Sequence, residues 1–178
     1  FFIKEMKHTD GGFYAALDAD SEHVEGKFYV WDKDEIDQIL GKDAEIYCKW
    51  FNVSEKGNWE GKNILNISAS EEIFASENQI SLTKLKLLIQ QGNEKLLIER
   101  NKRIRPGTDD KIILGWNALL ITAFCKSAAA LGSENYLKEA VSLFEFIEEK
   151  YFSEGIPVFH TYKNNAARHP AFLDDLAY

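Results

Sequence analysis

Cysteine, proline and long uncharged runs are all scarce in this chain of 178 residues. Its two cysteines, Cys48 and Cys125, lie far apart and form neither a CxxC redox pair nor a zinc-ligand set, so reduced structural thiols are expected. Three Pro and 11 Gly, set against 13% aromatic residues, exclude a disordered or low-complexity scaffold. The longest run without a charge, Ile112 to Cys125, has fourteen residues, too few to span a bilayer, and no signal-peptide pattern opens the chain. The four histidines show no HxH or HxxxH spacing, so no metal site is expected. A P-loop, a dinucleotide fingerprint and a GxSxG elbow are all missing, and no cofactor is expected. Positive charge is the minority sign: 21 Lys+Arg stand against 29 Asp+Glu, for a net charge of −8. That balance argues against a general affinity for nucleic-acid backbones. The expectation is a soluble, acidic, cytoplasmic protein without nucleic-acid or membrane partners.

What is present is mostly helical pattern. Phe1 to Met6 reads as the last turn of an amphipathic helix, and Phe172 to Tyr178 as the first turn of another. Phe13 to Asp18 and Lys27 to Trp31 read as strands joined by an acidic loop, Ala19 to Gly26. Asp32 is placed to cap a helix from Lys33 to Leu40, with Glu35 completing a near capping box. A second helix is expected over Ala44 to Phe51, then loop and short strand over Asn52 to Ser68. Ser81 opens a longer helix in which Gly92-Asn93 marks a kink or break, and Pro106-Gly107 ends that stretch.

Two further helices differ in character. Lys111 to Leu131 is apolar on nearly every side and is expected to be buried all round. Asn135 to Phe152 carries one apolar stripe, Leu137, Ala140, Val141, Phe144, Ile147 and Tyr151, as a surface helix does. Joined through Gly132 to Glu134 they form an αα-hairpin, the unit from which a toroid with a central cavity is built. Ile156-Pro157-Val158-Phe159 reads as a short strand in a connecting loop.

Three clusters carry candidate chemistry. Asp18 and Asp20 stand at i and i+2 on an extended segment and point the same way, as a pair that binds a cation or sugar hydroxyls, or acts as acid and base, would. A solvated acidic turn is the alternative. Thr108-Asp109-Asp110-Lys111 opens the apolar helix, where N-capping is the plain reading. Asn117, in the first turns of that helix, needs hydrogen-bond partners that a polar cavity would supply. His160, then His169 with Asp174 and Asp175, make up the third cluster; a lone histidine more often satisfies a loop hydrogen bond.

The strings GGFYAALDADSEHVEGKFYVW (Gly11 to Trp31), GNWEGKNIL (Gly57 to Leu65), RPGTDDKIILGWNALLITAF (Arg105 to Phe124) and AFLDDLAY (Ala171 to Tyr178) together resemble one family. It is that of the thioredoxin-domain-containing proteins related to spermatogenesis-associated protein 20. The resemblance covers essentially the whole chain, with two departures: GWNALL replaces the usual SWNGLM, and LDDLAY the usual LDDYA. It implies a mainly α fold: αα-hairpins of an (α/α)6 toroid, incomplete in this chain, with short β-hairpins in the connecting loops, resembling N-acylglucosamine 2-epimerases and six-hairpin glycosidases. The whole of 1–178 is then one partial toroid domain, about half a ring, since twelve helices at ~11–12 residues plus connections need roughly 250 residues. The family's thioredoxin-like domain, a partner within the same full-length protein, falls outside this sequence.

By analogy with toroid enzymes, the resemblance implies a carbohydrate ligand and a glycosidase-like or epimerase-like site. Asp18, Asp20, Asp110, Asp174 and Asp175 would be its acids, bases or hydroxyl ligands. Trp31 and Trp116 would be stacking surfaces, and Asn117 and His160 polar contacts. The alternative is a non-catalytic binding or scaffolding module, in which the same acids cap helices and pin loops.

Overall fold

The computed structural model describes residues 1–152 and 158–178. In chain order the first elements are α1 (Phe2–Glu5), β1 (Ala16–Leu17), β2 (Asp20–Ser21), β3 (Val24–Glu25), α2 (Lys33–Leu40), α3 (Ala44–Trp50), α4 (Glu71–Glu77) and α5 (Leu82–Arg100). There follow β4 (Thr108–Asp109), β5 (Ile112–Ile113), α6 (Leu114–Leu131), α7 (Glu134–Tyr151), β6 (Phe159–Lys163), β7 (Ala166–Pro170) and α8 (Leu173–Ala177). About half the chain is helical and the strands form short antiparallel pairs, so the fold is mainly α. The chain divides into two compact units: the first joins Phe1–Asp18 to Thr108–Tyr178, and the second is Ala19–Gly107.

The second unit packs α2, α3, α4 and α5 around Ile36, Leu40, Tyr47, Trp50, Phe74 and Leu85. Asp32 does sit at the N-terminus of α2, but its carboxylate pairs with Lys62 at 2.6 Å rather than closing the cap. Glu35 makes no capping box; it takes both its hydrogen bonds from Arg103. The kink expected at Gly92 is not there: α5 runs unbroken. The glycine instead admits the Tyr47 ring, whose carbons would lie 2.5 Å from an added Cβ, and the Tyr47 hydroxyl donates to Asn93 at 2.6 Å. The acidic loop after Asp18 is itself a hairpin, with Asp20 opposite Glu25 and Ser21 opposite Val24. Its two loop residues, Glu22 and His23, both have positive φ, the geometry of a tight primed turn. Lys27 to Trp31 is a turn and not a strand, apart from one bridge between Trp31 and Asn63. Helix α4, capped by Ser70 accepting from the Ile73 N–H, has no counterpart in the sequence reading.

In the first unit α6 and α7 form the expected αα-hairpin, linked by Gly132 and Ser133. Gly132 closes α6 in the left-handed conformation that glycine adopts without strain. The core of the unit is Phe13, Ile112, Leu114, Phe124, Leu143, Phe146 and Tyr162. Asp109 and Asp110 do not cap the apolar helix. Thr108–Asp109 pairs with β1, Ile112–Ile113 pairs with β6, and the helix begins only at Leu114. Nor is α6 buried all round: Trp116, Leu119 and Leu131 are exposed, as are Leu137, Val141 and Phe144 on α7. By length and composition alone α6 would suffice to cross a membrane; here it packs along α7. Strands β6 and β7 turn through Asn164 and Asn165, both at positive φ. The strand expected over Ile156 to Phe159 lies largely outside the described residues, and the observed strand begins at Phe159.

Candidate functional site

The first unit gathers polar side chains in two places. One is a pocket of about 240 Å³ lined by His8, Tyr14, Asp110, Ile112, Tyr162, Lys163, Asn164 and Asn165. Local folding explains the set. Asp110 stands in the two-residue step between β4 and β5, Tyr162 and Lys163 close β6, and the asparagines form the turn that follows. His8 accepts the Asp10 N–H at 3.0 Å through Nδ1 and meets the Tyr14 ring edge-on, with centroids 5.5 Å apart. Lys163 pairs directly with Asp110 and, with a smaller contribution from His8, holds that carboxyl below its ordinary range. Tyr162 donates to Asn165 at 3.3 Å. The floor is the apolar Ile112.

The other is a buried carboxylate. Asp175, with a side chain only 1% exposed, accepts the Gly115 N–H at 3.0 Å and the Phe172 N–H at 2.9 Å, and meets His160 Nδ1 at 2.7 Å. Burial by itself raises its pKa, but the hydrogen bonds from Phe172, His160 and Gly115 together outweigh it, and the carboxyl titrates below its usual range. His160 is held by this bond and by the edge of Phe172, 4.8 Å away. Asp175 thus joins the start of α6 to the start of α8.

Asn117 finds its partners in backbone rather than in a cavity. Its Oδ1 accepts the Phe13 N–H at 2.8 Å, and its Nδ2 donates to Phe13 O at 3.1 Å and Ile113 O at 2.9 Å. Trp116, one residue before, is 55% exposed on α6. Asp174 lies in the first turn of α8 and is exposed. The pocket that Asp110 lines includes neither Asp174 nor Asp175. Asp18 and Asp20 are both exposed; Asp18 ends the first stretch of the first unit and Asp20 belongs to the second unit, which opens at Ala19. Trp31, in the second unit, is buried, and the Arg103 guanidinium lies 4.0 Å over its ring. Among the described residues no cluster of three or more metal-ligating side chains is found.

Of this arrangement, the sequence singled out Asp110, His160 and Asp175 as candidates, without placing His160 against a particular aspartate. It missed His8, Tyr14, Lys163 and the asparagine pair. Asn164-Asn165 between Phe159–Lys163 and Ala166–Pro170 is the signal that could have exposed the hairpin, and with it the pocket wall.

No family model matches the chain. In sequence it is similar to spermatogenesis-associated protein 20 of Mus musculus (29% identical) and of Homo sapiens (26% identical), in each case over 85% of this chain. A Caenorhabditis elegans protein, described only as uncharacterised, is 33% identical over 82% of this chain. The matched regions make up 22%, 23% and 23% of these three proteins, so the chain spans under a quarter of the length of the curated relatives it matches. These similarities support the relationship to spermatogenesis-associated protein 20 that the motif strings suggest.

Proposed function

We propose that the first unit binds a sugar-like, polyhydroxylated ligand in the pocket beside His8, within a module of the epimerase-like toroid kind. The observation that carries this reading is the composition of the pocket. A carboxylate, an amine, two amides and an imidazole converge beside the rings of Tyr14 and Tyr162. Pyranose rings present alternating C–H faces and hydroxyls, which suit aromatic walls and a carboxylate flanked by amides. Asp110, kept ionised by Lys163, is suited to accept a hydrogen bond from a ligand hydroxyl, and His8 is the second titratable group at the same pocket. A retaining or inverting glycosidase needs two carboxyls roughly 5–9.5 Å apart across the bond. Asp110 is the one carboxyl among the described residues of this lining, so an epimerase-like or purely binding role fits better.

The toroid reading is supported by the αα-hairpin and by apolar side chains exposed on both of its helices, which flanking hairpins of a ring would cover. The thioredoxin-like partner domain rests on the motif resemblance. A scaffolding role is the second reading, favoured by Asn117 and Asp175, whose hydrogen bonds pin backbone segments together.

Ligand-observed NMR with N-acetylhexosamines and simple pyranoses tests the proposal. Saturable binding is expected, weakened at least tenfold by Asp110→Ala combined with His8→Gln, with the melting temperature nearly unchanged because Asp110 is half exposed. Sugars that do not bind, or binding indifferent to both substitutions, would leave the scaffolding reading standing.

A further inference from the structure

We infer that the second unit carries a separate binding site, a pocket of about 490 Å³ that takes a small organic anion with an apolar body. Three stretches far apart in sequence build it: Ser21 to Glu35, Lys62, and Lys102 to Ile104. Two of them overlap the strings GGFYAALDADSEHVEGKFYVW and GNWEGKNIL, from which the sugar pocket takes only Tyr14. Its volume lies in the range of about 300–1,000 Å³ typical of small-molecule sites.

One wall is fixed in place. Arg103 donates to Phe28 O at 3.0 Å and Val30 O at 2.8 Å through Nη1, and to both Glu35 oxygens at 2.8 Å through Nη2, while stacking on Trp31. Its charge is answered inside the fold, so it shapes the pocket rather than binding the ligand. Phe28 and Val30 are buried in the lining, whereas Val24 and Ile104 are 52% and 61% exposed where they line it. Those two apolar side chains are left for a ligand to cover.

The remaining charges set the sign. Lys27, Lys62 and Lys102 line the pocket on flexible stems, and two carboxylates, Glu22 and Asp32, stand against them. Each amine is held by a surface pair: to Glu22 at 2.8 Å, to Asp32 at 2.6 Å and, outside the lining, to Glu99 at 2.6 Å. Exposed pairs of this kind contribute little to stability, so an amine turns to a bound carboxylate, sulfonate or phosphate ester at little cost. Among the described residues of the lining, Lys27, Lys62, Lys102 and Arg103 stand against Glu22, Asp32 and Glu35, one positive charge in excess where the whole chain carries −8.

Titration of the protein with 8-anilinonaphthalene-1-sulfonate, followed by dye fluorescence, tests this. One saturable site is expected, weakened at least tenfold by Ile104→Asp combined with Lys102→Glu, two exposed positions whose change leaves the melting temperature intact. Phe144→Asp, which removes an exposed apolar side chain from α7, is expected to leave that site unchanged. The uncharged N-phenyl-1-naphthylamine is expected to bind at least tenfold more weakly. A titration without saturation, equal binding by the double variant, or loss of the site in Phe144→Asp would overturn the assignment of the pocket; equal binding of the uncharged dye would overturn the anion.

Discussion

Replacing Asp175 by Asn removes one acceptor from a buried carboxylate that serves three donors. The amide oxygen keeps one backbone N–H, and the new NH₂ confronts the other donors. The expected cost is about 1–3 kcal/mol, read as a lowered melting temperature. The pH dependence has a definite sign. The folded-state pKa of Asp175 is depressed, so its contribution is present above the unfolded value of about 3.9 and is lost as pH falls through the folded value. Acid destabilisation below about pH 4 is therefore expected in the parent chain, with a shallower slope in Asp175→Asn. An unchanged slope would show that the carboxylate is not held as described. At this scale the sequence was informative about residue type and less so about duty. Asn117 in an apolar helix does mark a buried hydrogen-bonding site, but its partner, the backbone of Phe13, lies 104 residues away and leaves no local trace. Trp31 likewise reads as a stacking platform until Arg103 is found on its ring.

Helix α5 shows how a single element can mislead. Gly in a helix interior lowers stability by about 1 kcal/mol relative to Ala, which made Gly92 look like a break. The structure assigns it to a contact: the Tyr47 ring, fixed by its bond to Asn93 and by Phe51 at 4.6 Å, lies against the backbone there. Gly92→Ala is expected to lose about 1–2 kcal/mol overall, because forced overpacking outweighs the gain in helix propensity. A rise in the denaturant midpoint would refute that contact. Helices α2, α3 and α7 were legible almost to their ends, since apolar periodicity is a local signal. The two-residue strands were not, because pairs such as Ala16 with Asp109 depend on chain segments meeting across long separations.

For the molecule as a whole, composition conveyed a mainly α, acidic chain but not its division into two units. The first unit needs residues 1–18 and 108–178 together, through β1 with β4 and through Lys7 with Glu139 at 2.5 Å. Hydrophobic patterning read along the chain treats the intervening 19–107 as continuous with both, so nothing in periodicity marks the return. The same division has an optical consequence. Of the four tryptophans, Trp31, Trp50 and Trp59 belong to the second unit, and Trp116 alone to the first. Trp31 and Trp50 are buried and Trp116 stands more than half in solvent. Emission from the first unit is therefore expected at the red edge of the spectrum and to be readily quenched by acrylamide. Trp116→Phe should remove that component and shift the remaining emission, from buried Trp31 and Trp50 and half-buried Trp59, to the blue, so that unfolding of each unit can be followed by its own colour of light.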